Sequence, residues 1–258
     1  MGPRPEAAPG SDPSMPPAPR FRPGGLAGEP RRRAPRRASL NRDSIVAAAL
    51  RVVDADGLDA MTMRRVGQEL DTGGASLYAH VANKDELLEL VIDQVIGELE
   101  LPDAPDPDRW SEQVKEIVRS MRAVLAGHKD IARGCLGRIP LGPNALRGSE
   151  ALIAVMKSGG LPDQVAAYAC DLLPLYATAT AYEESLYASA QITPTDLAGY
   201  IAEMRAYFAA LPTDRFPHIA ALAGPLTAGS GGDERFEFGL DVLVRGLASL
   251  GLRPDPRP

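Results

Sequence analysis

MTMRRVGQELDTGGASLYAHVANK, residues Met61 to Lys84, decides how the rest of the chain is read. Thr62 can cap a helix, because a threonine hydroxyl accepts from a free backbone N–H of the first turn. Met63, Val66 and Leu70 then fall at i, i+3 and i+7, one apolar helical face. Asp71-Thr72-Gly73-Gly74 interrupts that face, with two glycines free to take backbone angles that other residues resist. A second short helix follows from Ala75 to about Ala79, and Leu77 and Val81 anchor it to the first. Helix, glycine turn, helix is the layout of a helix-turn-helix, whose second helix enters the DNA major groove. Ser76, Tyr78 and His80 stay exposed on that helix, and Lys84 opens the next one, where an ammonium can meet a phosphate. Many helical proteins join two short helices through glycine, so the spacing alone leaves DNA binding open.

The residue identities narrow it. LYAHVANKDELL resembles the signature of the TetR family of bacterial repressors, where a recognition helix ending Leu-Tyr-X-His is followed by Asn/Asp-Lys and then Glu-Leu-Leu. The agreement covers Leu77, Tyr78, His80, Asn83, Lys84, Glu86, Leu87 and Leu88. The resemblance implies a cytoplasmic transcriptional regulator, a repressor released from a palindromic double-stranded operator by a small-molecule effector. It places Arg64, Gly74, Ala75 and Tyr78 at base edges, and Thr62, Met63, Ser76, His80 and Lys84 along phosphates. With no large polar side chain at Gly74, specificity then leans on Arg64, Tyr78 and DNA shape.

Residues 1–39 differ in kind from the rest of the chain. Ten prolines fall within the first 40 residues, and the apolar ones show no period, so the segment reads as a disordered tail. Eight arginines there against Glu6, Asp12 and Glu29 give +5, which leaves −11 for the remainder of a chain whose net charge is −6. The cluster Arg31–Arg37 precedes the first helix as an arm able to lie along phosphates. Residues 40–85 form the expected DNA-binding head, opened by a helix capped at Asn41, striped by Ile45, Ala48, Ala49 and Val52, and stopped at Gly57. The head is not broadly basic: five cations face seven acids, a balance of −2. DNA binding therefore requires the cations to be gathered on one face.

Residues 86–258 read as a helical regulatory body. Helices are expected at Asp85–Glu100, from Trp110 to Gly127, at about Lys129–Gly134 and Asn144–Ser158, then Asp163–Ser189 with a kink or break at Pro174. Thr195–Ala210 comes next, then a Pro/Gly loop over Leu211–Gly232 and a last helix Asp233–Leu250. No stretch alternates as a strand would, so the class is all-α. No apolar run approaches the roughly 20 residues that span a bilayer, and the N-terminus lacks the apolar core of a secretory signal.

MRAVLAGHKDIARGCLG and the alanine-rich helix ending TAYEES resemble the drug-binding body of the tetracycline repressor. In that fold the long penultimate helix and the last helix pair with their copies, which implies a homodimer through Asp163–Ser189 and Asp233–Leu250. The magnesium-holding histidine aligns with Cys135, a drug-bonding asparagine with Ile117, and a pocket phenylalanine with Met121. Without that imidazole a magnesium–tetracycline complex is not expected, and no metal or cofactor is called for. A larger, mostly apolar effector is expected, lined by Ile117, Met121, Leu125, Cys135, Tyr176 and Glu183, although core packing would use the same residue types.

Two other classes compete. A helical scaffold or partner-binding protein would share the periodicity without touching DNA. An enzyme would need more chemistry than the chain displays: no GxSxG, HExxH, Walker loop or GxGxxG occurs, and only His128 lies near a cysteine, Cys135. Cys135 and Cys170 have no metal-ligand spacing and read as buried free thiols.

Overall fold

Asn41 starts the first helix by accepting from Ser44 N, while Ser44 Oγ answers to the Asn41 backbone, a reciprocal capping box. The computed structural model describes residues 40–189, 194–228 and 233–251, and all regular structure there is helical. The tail 1–39 with its Arg31–Arg37 cluster lies outside the described residues.

Helix α1 (Arg42–Asp56) buries Ile45, Val46, Ala48, Ala49, Val52 and Val53 and stops at Gly57, where φ is +89°. A single 3-10 turn (Leu58–Ala60) leads to α2 (Met63–Glu69), α3 (Gly74–Leu77) and α4 (Lys84–Ile96). Met61, Val66, Leu77, Val81, Leu87 and Leu88 meet the α1 stripe in one apolar core. That core continues along α4 through Val91, Ile92 and Val95 into the body, so head and body share a helix and its packing.

The body adds α5 (Trp110–Gly127), α6 (Ile131–Cys135), α7 (Pro143–Ser158), α8 (Asp163–Ser189), α9 (Pro194–Ala209), α10 (Pro217–Ala221), α11 (Ala223–Leu226) and α12 (Asp233–Gly251). A second core, with Val114, Ile117, Leu152, Met156, Leu173, Phe236 and Leu240, binds α5, α7, α8 and α12. Leu101 and Met121 pack against both cores and mark where they join. Helices α9, α10 and α11 pack on one another.

Three expectations change. Helix α4 ends at Ile96 rather than Glu100, because Gly97 closes it and the next residues tighten into i→i+3 turns. Its end is fixed from α7, where Asn144 Nδ2 donates to Asp93 O at 3.0 Å and Arg147 donates to Gly97 O at 3.1 Å. Helix α8 does not break at Pro174 but continues as one helix to Ser189; the ring removes one backbone donor, while Leu173 and Ala177 beside it are fully buried. The expected loop over 211–232 is not plain loop in its described part, residues 211–228, since Pro217 starts α10 and α11 follows at once, while residues 229–232 lie outside the described residues.

Candidate functional site

Thr62 Oγ1 accepts from Arg65 N at 3.1 Å, so the hydroxyl caps α2 as its spacing suggests. The corner to α3 is set by two glycines. A Cβ on Gly67 would come within 2.8 Å of Gly74 N and 3.0 Å of Thr72 O. Thr72 N donates to Gly67 O at 2.8 Å, closing the turn. Gly74 is equally constrained: its vacant side faces Met63 O at 3.0 Å and Arg64 Cα at 3.2 Å. The missing side chain at Gly74 therefore lets α3 lie close on α2.

Leu77 and Val81 are buried, so the opposite side of α3 and the turn after it is presented outwards. Ala75, Ser76, Tyr78, His80 and Lys84 are exposed there, Tyr78 to 56%. Thr62 and Arg64 are exposed on α2. Met63 departs from the phosphate row: its side chain is buried in the head core, leaving only its backbone to approach DNA. Asn83 caps α4 by accepting from Glu86 N at 2.8 Å, and Glu86 accepts from Ala82 N at 2.6 Å, so Lys84 is the first residue of a firmly capped helix.

The charge balance of −2 resolves by pairing. Arg42 pairs with Glu86, Arg51 with Glu69 at 3.3 Å, and Arg65 with Asp56 and Glu69, both at 3.1 Å. The hydrogen bonds that Arg65 donates to Glu69 and Asp56 raise its pKa, and the Arg65 guanidinium lowers that of Glu69. Arg64 and Lys84 enter no ion pair among the described residues. The cations left over by pairing are thus the two beside Tyr78's helix.

In the body the six effector candidates fall into two groups. Ile117, Met121 and Leu125 repeat every four residues along α5, and Cys135 packs against the first core, to which Leu125 belongs. Ile117 and Leu125 are fully packed, whereas Met121 and Cys135 are partly buried. Tyr176 and Glu183 belong to the seam between α8 and α12. The Tyr176 ring stacks on Phe236 at 5.4 Å and its hydroxyl donates to Phe236 O at 3.0 Å, while Glu183 pairs with Arg235. Arg122 sits between the groups, 4.5 Å over the Phe236 ring, paired with Glu184 and with Asp233. A separate cleft of about 290 Å³ lies between Pro102–Pro105 and α7 at Arg147, Glu150 and Ala154, and shares none of the six.

Residues 45–91 match the family described as bacterial regulatory proteins, tetR family, and residues 101–250 match the tetracyclin repressor-like C-terminal domain. An HTH-type transcriptional regulator of Saccharopolyspora erythraea is 32% identical over 231 residues, 88% of this chain and 92% of that protein. The chain belongs to the TetR family. Among solved TetR-family proteins, ActR of Streptomyces coelicolor in complex with actinorhodin superimposes with a TM-score of 0.75 at 47% identity, over 83% of this chain and 97% of ActR. The class E tetracycline repressor of Escherichia coli is 25% identical over 213 residues, 82% of this chain and 92% of that repressor. In this TetR-family chain α4 bridges the two matched regions.

Sequence reasoning missed four residues that position this machinery. Gly67 was one glycine in a helix, and nothing in its neighbours' spacing points to Gly74. Asp93 looked like an ordinary polar face residue, yet its carboxylate accepts from Asn144 N and Ala145 N at 3.1 and 3.0 Å and caps α7 from a distance. Arg122 and His128 pair with residues far along the chain, for which periodicity carries no signal.

Proposed function

We propose that the chain is a repressor whose head reads a two-fold operator through Arg64, Ala75 and Tyr78, with Thr62, Ser76, His80 and Lys84 on phosphates. The observation that carries this is the pairing pattern: Tyr78 stands exposed in the turn that closes α3 while Arg64 and Lys84 stay outside the head's ion pairs. A palindromic operator calls for two heads. Helices α8 and α12 supply a surface for that, since Tyr168, Leu172 and Leu175 on one and Phe238, Val242 and Leu250 on the other expose large apolar groups. We read this as the homodimer face.

The effector is read as a mostly apolar small molecule entering near Met121, which packs against both cores, and Cys135, with Tyr176 and Glu183 as its polar partners. ActR, a similar protein, was solved with actinorhodin, which supports a small-molecule ligand for this body. Burial favours that over a Cys–His nucleophile: it pushes the Cys135 thiol up to about 12, and both ring nitrogens of His128 face carboxylates. No described helix is long and apolar enough to cross a membrane, and a regulator of genes works in the cytoplasm.

The test is pull-down of genomic fragments by the purified protein, followed by gel shifts at graded salt. Wild type should retain a discrete fragment set, and Lys84→Ala should lower the salt slope by about one per lost phosphate contact. Retention of no fragment at low ionic strength, or a monomer at micromolar concentration, would overturn the reading.

A further inference from the structure

The His128 ring sits where three elements meet: the last turn of α1, the turn after α4, and the end of α5. Nδ1 lies 3.0 and 3.1 Å from the two Asp54 carboxylate oxygens, and Nε2 lies 3.2 Å from Glu98 Oε2. The side chain is only 15% exposed. A neutral imidazole carries one N–H, so it can donate to one of these carboxylates while its other lone pair faces negative oxygen. The imidazolium donates to both. A bridge from the head through the ring to the end of α4 is complete only in the protonated form.

Other polar contacts close the same corner. Lys129 Nζ donates to Ala55 O at 3.2 Å, Asp130 accepts from Leu58 N at 3.2 Å, and Arg133 pairs with Asp59 at 3.0 Å and with Asp130. The charged groups facing the ring are therefore Asp54 from α1 and Glu98 from the turn after α4, with Lys129 and Asp130 beside it in its own loop.

Resting on the reading of residues 40–85 as the DNA-binding head, we propose that His128 is a proton-operated fastener between head and body. Protonated, it holds α1 against the end of α4; deprotonated, it releases one carboxylate and loosens the head, so that operator affinity depends on pH. Burial of the ring works against its charge, but the hydrogen bonds to Glu98 and Asp54 outweigh it, and the proton is held above the ordinary histidine range. The fastening is therefore complete below the unfolded-state pKa of about 6.5 and is lost as pH rises through the higher folded value.

The chain has only His80, His128 and His218, so imidazole resonances of the full-length protein can be assigned by loss in His128→Gln. The His128 signal should titrate above pH 6.5 and move down in Asp54→Asn. Hydrogen exchange of residues 53–60, corrected for intrinsic rate, should quicken several-fold as pH passes the His128 midpoint, and should lose that step in both variants. On a duplex selected by wild type from a random pool, affinity should change by up to tenfold per pH unit per subunit across the same range, and His128→Gln should flatten the change. A His128 midpoint at or below 6.5, or an exchange step that persists in His128→Gln, overturns the fastener. Should His128→Gln fail to fold, Asp54→Asn decides alone. The expected exchange behaviour with no duplex selected at any pH would refute the DNA-binding head and leave the fastener standing.

Discussion

Replacing Gly67 by alanine adds one methyl group where α2 turns against the start of α3. Its carbon would lie 2.8 Å from Gly74 N and 3.0 Å from both Gly74 Cα and Thr72 O. All three are backbone atoms, so none can swing aside as a side chain would. Comfortable contact for carbon begins at about 3.5 Å, so the start of α3 must retreat by roughly half an ångström. Two effects oppose each other. Alanine favours the helix over glycine by about 1 kcal/mol, whereas forcing a methyl group into a closed contact costs about 1–3 kcal/mol. With three backbone clashes the cost falls in the upper part of that range, for a net loss of about 1–2 kcal/mol. The shift also moves Tyr78, so on the proposed reading operator affinity should fall further than stability. Urea unfolding and gel-shift titration measure the two effects separately. Gly73→Ala is the control, since a Cβ there meets nothing within 4 Å and φ is −73°. If Gly67→Ala proved as stable as wild type, or more so, helix propensity would have won and the close approach of α2 and α3 at this corner would be wrong.

Tyr78→Ala should weaken operator binding at least tenfold in gel shifts while unfolding free energy stays within about 0.5 kcal/mol, because the exposed ring packs little against the head. Asp93→Ala should lower stability by about 1–2 kcal/mol in thermal melts, since it strips α7 of a cap supplied by another helix; no loss would show those amides to be satisfied elsewhere. Burial pushes the Cys135 thiol up to about 12, which keeps it from forming the reactive thiolate near neutral pH. It should resist iodoacetamide in the native protein and react promptly in guanidinium, and rapid native labelling by mass spectrometry would contradict its burial. Gly127→Ala, at the end of α5 with open space around it, should stabilise by about 0.5–1 kcal/mol in chemical unfolding.

Much of the site was legible because it is local. The Thr62 cap, the anchors Leu77 and Val81, and the exposure of Ser76, Tyr78, His80 and Lys84 all follow from helical periodicity within some twenty residues. Met63 was ambiguous for the same reason: its spacing fits the apolar face, a resemblance put it on phosphates, and burial decided for the face. The packing role of Gly74 was not legible, because a glycine's vacant side has no direction until the partner helix is in place.

By itself the chain determined most of its helices, the glycine corner and the family, since caps, turns and period act between near neighbours; α10, α11 and the early end of α4 were not legible. Only the tertiary structure decided which cations stay free, that Asp93 caps α7, and that α5 is laced to α12 through Lys115–Asp241, Arg119–Glu237 and Arg122–Asp233. The same holds for His128 between Asp54 and Glu98. These contacts join residues 30 to 126 positions apart. A charge's partner depends on which surfaces meet after the helices pack, and helical period carries no information about that.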